Sequence, residues 1–349
     1  LEVFLMKIGL VGRPQTGKTT LFRLLTQSRG DSPGKGASSG VGVMEVPDER
    51  IRWLSDLFKP EKTIYARIDL HDIQPYKGQE FLNAVRNMDA LVLVLGCFMA
   101  QGDGSDQTSM IDDLEMEFHI ADLASVEGRL ERLASKKTKP LGPSEEPFLK
   151  KCKDSLDAGI PLRKVSFEPH EAEYLSNFAF FTLKPVILAP NVSEESLVSK
   201  DYPGKDYIGQ KAEEGGYPLV IFSGEVEEEI ASLPEPERLS FLREYGLEET
   251  GVSRIARASY AALGLISFFT VGSDEVRAWT IKDGTTARAA AGKIHTDLEK
   301  GFIRAEVVSY RDLRESGSMK ACRDKGQIRL EGKDYLVKDG DIMTVRFNV

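Results

Sequence analysis

A chain of 349 residues is longer than one ordinary core needs, and at roughly 150 residues per domain it predicts two or three domains. With 41% hydrophobic and 29% charged residues it has the composition of a folded globular protein, which excludes a disordered chain, a collagen or a disulfide miniprotein. The formal charge of −9 argues against a uniform basic surface of the kind that wraps DNA, so any nucleic-acid contact is expected in part of the chain only.

Cys97, Cys152 and Cys322 are odd in number and far apart, and His71, His119, His170 and His295 are equally scattered. Neither a disulfide framework nor a His/Cys metal cluster is expected. The longest apolar run, Ala90 to Leu95, suits a buried strand and is far short of a membrane span, so no membrane partner is expected. The opening residues 1–5 carry no basic n-region or small-residue cleavage site, Met6 fits a second start, and the expected compartment is the cytoplasm.

In chain order, Lys7 to Val11 reads as a short apolar strand, followed by a glycine-containing loop and a helix-like stretch from Thr20 to Leu25. Residues 29–40 are rich in Gly, Ser and Lys and offer little to bury. Strands are expected at 41–46, 64–69 and 90–96, with a helix from Gly78 to Met88 that turns Phe81, Leu82 and Val85 inward. Alternation of this kind predicts a parallel α/β sheet. From Asp112 the character changes. Met116, Ile120, Leu123, Val126, Leu130 and Leu133 form a nearly heptad stripe, a break follows at 136–144, and a second charged helix is expected over 146–158, together a helical hairpin. The α/β pattern resumes with strands at 184–189 and 218–222 and a helix-rich connector over 225–265. Near the end, 276–281, 303–309, 327–330, 335–337 and 342–347 alternate with period two around one helix at 286–292, which predicts a small mixed sheet.

The chemistry sits in Gly12-x-x-x-x-Gly17-Lys18-Thr19, which has the spacing of a phosphate-binding loop and lies between a strand and a helix. The backbone of Arg13, Pro14, Gln15, Thr16, Gly17, Lys18, Thr19 and Thr20 is the expected cradle, because N–H groups at a helix N-terminus point at phosphate oxygens. Lys18 would reach the β- and γ-phosphates and serve catalysis, and the Thr19 hydroxyl would ligate Mg²⁺. A second carboxylate is needed near the metal, and Asp69, at the end of the strand, is the candidate, although a solvated turn aspartate is the competing reading. His71 lies two residues on and could approach the γ-phosphate, or be a surface bystander.

Asn191-Val192-Ser193-Glu194 follows a buried strand, where a nucleotide-binding sheet places its base-reading loop. Compared with the usual guanine reader Asn-Lys-x-Asp, Val192 replaces Lys and Glu194 replaces Asp, which weakens the guanine clamp and admits adenine. Ser223-Gly224 would complete the base pocket through backbone groups, unless it is an ordinary turn.

These motifs, with Glu275-Val-Arg-Ala-Trp-Thr-Ile-Lys282, Ile294-His-Thr-Asp297, Gly301-Phe-Ile-Arg-Ala-Glu306 and Asp339-Gly-Asp-Ile342, make the chain resemble the YchF family of Obg-like ATPases from about Met6 to Val349. The resemblance implies an α/β fold: a P-loop NTPase of the Ras-like G-domain type over 6–111 and 160–267, a helical coiled-coil insertion over 112–159, and a C-terminal β-grasp (TGS) domain over 268–349. It implies Mg²⁺ and ATP, with GTP possible because Asn191 and Ser223 also suit guanine. It further implies a slow ATPase acting as a nucleotide switch, with a ribosome or RNA partner reached through the TGS-like domain. Residues 268–349 carry 15 basic and 13 acidic side chains, a net of +2 that leaves −11 for the rest, so the charge there opposes RNA least.

The departures from the family cluster around hydrolysis. The loop before Val41 reads Gly36-Ala-Ser-Ser-Gly40 where the family has Thr-Ile-Glu/Asp-Pro. The Asp-x-x-Gly switch becomes Asp69-Leu70-His71-Asp72, and the family's histidine has no counterpart between Phe98 and Met110. A divergent paralogue is expected, and a nucleotide-gated binding module with little or no hydrolysis is the alternative to a slow ATPase.

Overall fold

The computed structural model describes residues 6–26, 40–98 and 105–348. The expectations for residues 1–5, for the loop at 29–39 and for the stretch just after Phe98 fall outside that description. The elements run β1 (Lys7–Val11), α1 (Lys18–Thr26), β2 (Val41–Val46), α2 (Glu49–Phe58), β3 (Lys62–Ile64), β4 (Ala66–Asp72), α3 (Gly78–Arg86), β5 (Ala90–Gly96), α4 (Ser105–Ala134), α5 (Glu145–Asp157) and β6 (Val186–Asn191). A run of helices between Glu194 and Ala262 leads to β7 (Leu265–Val271), β8 (Glu275–Lys282), β9 (Phe302–Ser309), β10 (Arg329–Glu331) and β11 (Asp341–Phe347). The chain packs as two units. One holds the described residues of Lys7–Leu24 and His71–Gly251, and the other those of Leu1–Met6, Leu25–Leu70 and Val252–Val349.

In the first unit β1, β5 and β6 run parallel, with Ile8 opposite Ala90 and Leu91 opposite Val186. Every residue of β5 and β6 is buried, as expected of strands covered on both faces. The segment expected as a strand at 218–222 makes two isolated parallel bridges to β6 instead, Leu188 to Leu219 and Asn191 to Phe222. Helix α3 buries Phe81 and Val85 as its spacing predicts.

Helix α4 departs from the predicted stripe. Met116 is 61% and Ile120 59% exposed, whereas Ile111, Leu114 and Phe118 are buried. A straight helix drifts against a heptad pattern, and the two ends of this 30-residue helix meet different partners. Its first turns pack on the sheet side, where Phe118 stacks between Phe81 and Phe181. Its later turns pack on α5 through Val126, Leu123, Leu130 and Leu133, around Phe148, Leu149 and Cys152. Asp122, buried between the two stretches, accepts from the amides of Phe181 and Thr182 at 2.8 Å each and from the Thr182 hydroxyl at 2.7 Å.

In the second unit the sheet order is β10-β9-β11-β7-β8-β3. β9 pairs antiparallel with β10 and β11, and β7 with β8, while β11 and β7 are parallel. The sequence reading missed β7, and it missed the helices Thr296–Lys300, Tyr310–Ser316 and Met319–Asp324 beside the expected one at Ala287–Ile294. The last two are short and capped by Ser309 and Ser318, so their signal lies in the caps and not in a long stripe. Residues 335–337, expected as a strand, contribute one bridge from Leu336 to Thr286. The short β3 adds parallel to β8, and Arg50 at the start of α2 bonds Asp48 and Asp339 while lying over Phe269. The stretch at 48–64 is thereby fastened to the C-terminal sheet. Among the described residues no helix is long and apolar enough to cross a membrane.

The hairpin also contains a buried ion pair that anchors the turn between α4 and α5. Glu145 is fully buried and accepts from Arg129 Nε at 2.7 Å, Arg129 Nη2 at 3.1 Å and the Leu141 amide at 2.6 Å. Burial alone would raise the Glu145 carboxyl, but the hydrogen bonds from Arg129 and Leu141 outweigh it and hold the pKa below the ordinary value. A depressed carboxylate stabilises the fold above its unfolded-state pKa and loses that contribution as pH falls through the folded one. Arg129→Ala strands the carboxylate and is expected to cost about 3–5 kcal/mol at neutral pH. A thermal or urea melt checks this, and the deficit should shrink when the melts are repeated in acid.

Candidate functional site

The turn from β1 into α1 is shaped by two glycines. A Cβ on Gly12 would stand 2.6 Å from the Val94 carbonyl oxygen, and one on Gly17, at φ 94°, would stand 2.2 Å from Asn191 Nδ2. Both places exclude a side chain, which is the physical reason for the spacing of the motif. The Leu21 amide closes the first turn on the Gly17 carbonyl at 2.9 Å. Amides earlier in a helix have no intrahelical acceptor and are the natural donors to an anion.

Lys18 is only 6% exposed, and its Nζ donates to the carbonyls of Gly12 at 2.5 Å and Arg13 at 3.1 Å. Burial lowers the pKa of its ammonium, and the nearby Asp72 carboxylate partly opposes that. The ammonium therefore rests on the loop's own carbonyls at the mouth of the turn. The Thr16 hydroxyl likewise folds onto the Arg13 carbonyl at 3.0 Å.

A cavity of about 710 Å³ opens beside the loop, within the usual range for a small-molecule site. It lies where β1, β5 and β6 end, the crevice in which parallel sheets bind ligands. Of the residues expected to bind, Pro14, Gln15, Gly17, Lys18, Thr19 and Thr20 line it on one side. Asn191, Val192 and Gly224 line it on the other. Arg13, Thr16, Ser223 and Glu194 are not part of its wall. Arg13 instead reaches α4, donating to Ser109 Oγ at 2.9 Å and Asp113 Oδ2 at 3.1 Å.

The base-reading loop differs in detail from expectation. The Asn191 amide is committed on both sides: Nδ2 donates to the Thr16 carbonyl at 3.1 Å, and Oδ1 accepts from the Gly224 amide at 2.8 Å. It braces the phosphate loop against the segment at 223–224, so any reading of the base falls to its neighbours. Val192 is 1% exposed and its side chain joins the core, leaving its backbone at the cavity. Glu194 is exposed and accepts from the Tyr245 hydroxyl at 2.8 Å, a bond that raises the Tyr245 pKa to about 12. Ser223 is buried, and its hydroxyl has no hydrogen-bond partner among the described residues.

The carboxylate that meets Thr19 is Asp72. Its Oδ2 lies 3.4 Å from Thr19 Oγ1 and accepts from Gln74 Nε2 at 2.8 Å. The strand expected to end at Asp69 continues, with Ala66, Ile68 and Leu70 buried in alternation, and ends at Asp72. Asp69 stands inside β4, where its amide donates to the Met6 carbonyl at 2.9 Å, and His71 precedes Asp72 in the same strand. Neither lines the cavity. Thr19 and Asp72 together supply two hard oxygen donors, which fits Mg²⁺, an ion that keeps most of its waters and takes few protein ligands. No cluster of three or more His, Cys, Asp or Glu side chains suited to a metal occurs among the described residues.

Sequence reasoning missed Gln74, Phe98, Glu225 and Glu228 in the cavity wall. Phe98 had a readable signal, since it follows Gly96-Cys97 at the carboxyl end of a fully buried strand. Glu228 is placed by its ion pair with Arg23, 2.7 Å long, which no local pattern announces. Asn191→Ala removes both brace bonds and leaves the Thr16 carbonyl and Gly224 amide buried without partners. The expected cost is about 1–3 kcal/mol, to be read from urea unfolding of the variant against the parent.

Comparison with known proteins agrees with this geometry. The profile YchF-GTPase_C, described as "Protein of unknown function (DUF933)", matches residues 265–348. The chain is similar to Ribosome-binding ATPase YchF of Bacillus subtilis (strain 168), with 36% identity over 98% of this chain and 99% of the relative. It is also similar to Obg-like ATPase 1 of Caenorhabditis elegans, with 34% identity over 98% and 92% of the two chains. The solved structure of the Schizosaccharomyces pombe YchF GTPase superposes with a TM-score of 0.87 at 30% identity, covering 98% of this chain and 97% of that one. The expected fold class, a Ras-like P-loop NTPase with an inserted helical hairpin and a C-terminal β-grasp sheet, is therefore met. At these identities and coverages, the chain belongs to the YchF family.

Proposed function

We propose that the protein is a Mg²⁺-dependent purine-nucleotide-binding protein that hydrolyses ATP slowly and acts as a nucleotide switch. The observation that carries this reading is the cavity joining the phosphate loop to Asn191, Val192 and Gly224. The loop offers backbone amides at the helix N-terminus, a buried lysine and a threonine hydroxyl, all suited to a triphosphate. On binding, the Lys18 ammonium would exchange the Gly12 and Arg13 carbonyls for phosphate oxygens, and its fixed charge would stabilise the charge that develops during transfer. A water oxygen would bond the γ-phosphorus as the β–γ bridging bond breaks. Mg²⁺, when bound, would neutralise charge on the β- and γ-oxygens. The names of the relatives, ATPase in two and GTPase in the third, support hydrolysis of a purine nucleoside triphosphate.

We keep as part of the same proposal the three-part division at 6–111 with 160–267, 112–159 and 268–349, and the cytoplasm as its compartment. The assignment of Asp69 and His71 to the metal and the γ-phosphate has the least support, because the structure brings Asp72 to Thr19 instead. A second reading, a nucleotide-gated binding module with little hydrolysis, is favoured by the loop before Val41, which reads Gly36-Ala-Ser-Ser-Gly40 in place of Thr-Ile-Glu/Asp-Pro, and by the lack of a counterpart to the family's histidine between Phe98 and Met110.

Lys18→Ala is expected to weaken ATP binding by at least about 100-fold, because a buried cation facing phosphate is lost. Calorimetry checks this, and unchanged affinity would remove the site assignment. In single-turnover assays the parent should hydrolyse ATP above the nucleotide-alone background and the variant should not, whereas background rates for both would favour the binding module. Competition between ATP and GTP decides the base, and equal affinities would defeat the role given to Val192 and Glu194.

The bacterial relative is named for ribosome binding, and residues 268–349 of this chain carry a net charge of +2 against −11 for the remainder. The full chain is expected to co-sediment with ribosomes more strongly when loaded with a non-hydrolysable ATP analogue than when empty. Equal pelleting with and without nucleotide would argue against a switch.

A further inference from the structure

Hydrolysis of a triphosphate needs a group that holds the attacking water in line with the bond that breaks. His71, the candidate from the sequence, does not line the cavity, and the chain has no counterpart to the family's histidine between Phe98 and Met110. Gln74 does line it, beside Lys18 and Thr19 and in the same unit as the phosphate loop. Its place is set by the residue before it. Ile73 buries its side chain in the core, and its amide donates to the Leu10 carbonyl of β1 at 3.0 Å. The chain leaves β4 pinned at that point, and the next side chain, Gln74, is exposed at the cavity. The carboxamide is oriented as well, because Nε2 donates to Asp72 Oδ2 at 2.8 Å. A carboxylate only accepts, so the NH₂ end faces Asp72 and the Oε1 end is turned away from it. Among the described residues Oε1 accepts no hydrogen bond, and Nε2 keeps a second N–H to give. The other carboxamide of the wall, Gln15, stands in the phosphate loop with nothing among the described residues to orient it.

We propose that Gln74 positions the water that attacks the γ-phosphorus, with Oε1 accepting from the water and the remaining Nε2–H donating to a γ-phosphate oxygen. This deepens the hydrolysis proposed above and rests on it. The water oxygen forms the new bond to phosphorus, the bond to the β–γ bridging oxygen breaks, and ADP leaves with that electron pair. One proton of the water stays on the inorganic phosphate and the other passes to solvent. A carboxamide neither takes nor gives up a proton near neutral pH, so Gln74 contributes orientation alone. A site without a general base forgoes the roughly 10²–10⁴-fold that proton transfer to a side chain contributes, which suits slow turnover.

The test is single-turnover hydrolysis of ATP by the full chain and by Gln74→Ala, Gln74→Met and Gln74→Glu, with ATP and ADP affinities measured by calorimetry on the same preparations. The parent should exceed the nucleotide-alone background, and each variant should lose about 10- to 100-fold in the rate of the chemical step. ADP affinity should stay at the parental value, and ATP affinity should fall by no more than about tenfold, the worth of one hydrogen bond. Gln74→Glu keeps the length and the acceptor but sets a second carboxylate against Asp72, so its loss of rate identifies the amide as the working group. ADP with aluminium fluoride, a mimic of the phosphoryl group in transfer, should bind the parent more tightly than ADP alone, and that gain should vanish in Gln74→Ala. Parental single-turnover rates in Gln74→Ala overturn the inference alone, and so does loss of hydrolysis in His71→Ala with Gln74→Ala still active. Equal weakening of ADP and of its fluoride complex in all three variants gives Gln74 a structural role and also overturns it. If the parent does not exceed the background, the proposed hydrolysis fails and the inference with it.

Discussion

The carboxamide of Asn191 holds the candidate site together. Its Nδ2 grips the Thr16 carbonyl, its Oδ1 receives the Gly224 amide, and Gly17 has no side chain so that the amide can approach. Three segments far apart in sequence, at 12–20, 191–194 and 223–224, are fixed to one another by these contacts. A phosphate cradle works by preorganisation, because its amides must already point at the anion before it arrives. One side chain with two buried bonds provides that, and the fully buried strands β5 and β6 give it a rigid base.

The phosphate loop connects outward as well. Arg13, which stands in the loop, bonds Ser109 and Asp113 on α4, and α4, 30 residues long, runs on into the hairpin with α5. The loop is thereby tied to a long helix whose later turns are held by the Val126 and Phe148 cluster and by the Arg129–Glu145 pair. In the other unit, Arg50 clamps the start of α2 to Asp339, and β3 pairs with β8. The stretch at 48–64 thus belongs physically with the C-terminal sheet, although its sequence reads as part of an alternating α/β domain.

What was legible in the sequence follows from how local each signal is. The phosphate loop, β5 and α3 were readable because their spacing and burial are set within a few residues. The end of β4 was not, because Asp69 and Asp72 are equally polar and only the pairing shows that the strand runs on. The stripe on α4 failed at Met116 and Ile120 because which face of a helix is buried depends on what lies beside each turn. Asn191 was found by its position, and its bracing task was not seen. Its sequence context suggested a base, and the close approach of Gly17 and Gly224 adds a brace on the phosphate loop that no local pattern announces. Val192 and Phe98 show the same limit in opposite directions, one drawn into the core and the other left at the cavity.

The account is tested most directly by a crystal structure of the full chain with a non-hydrolysable ATP analogue and Mg²⁺. It predicts the triphosphate on the backbone at 13–20 and Lys18 Nζ moved from the Gly12 and Arg13 carbonyls onto phosphate oxygens. It also predicts the metal between Thr19 and Asp72, with the Asn191 brace unchanged. A nucleotide bound elsewhere, or Lys18 still seated on those carbonyls with phosphate present, would contradict it.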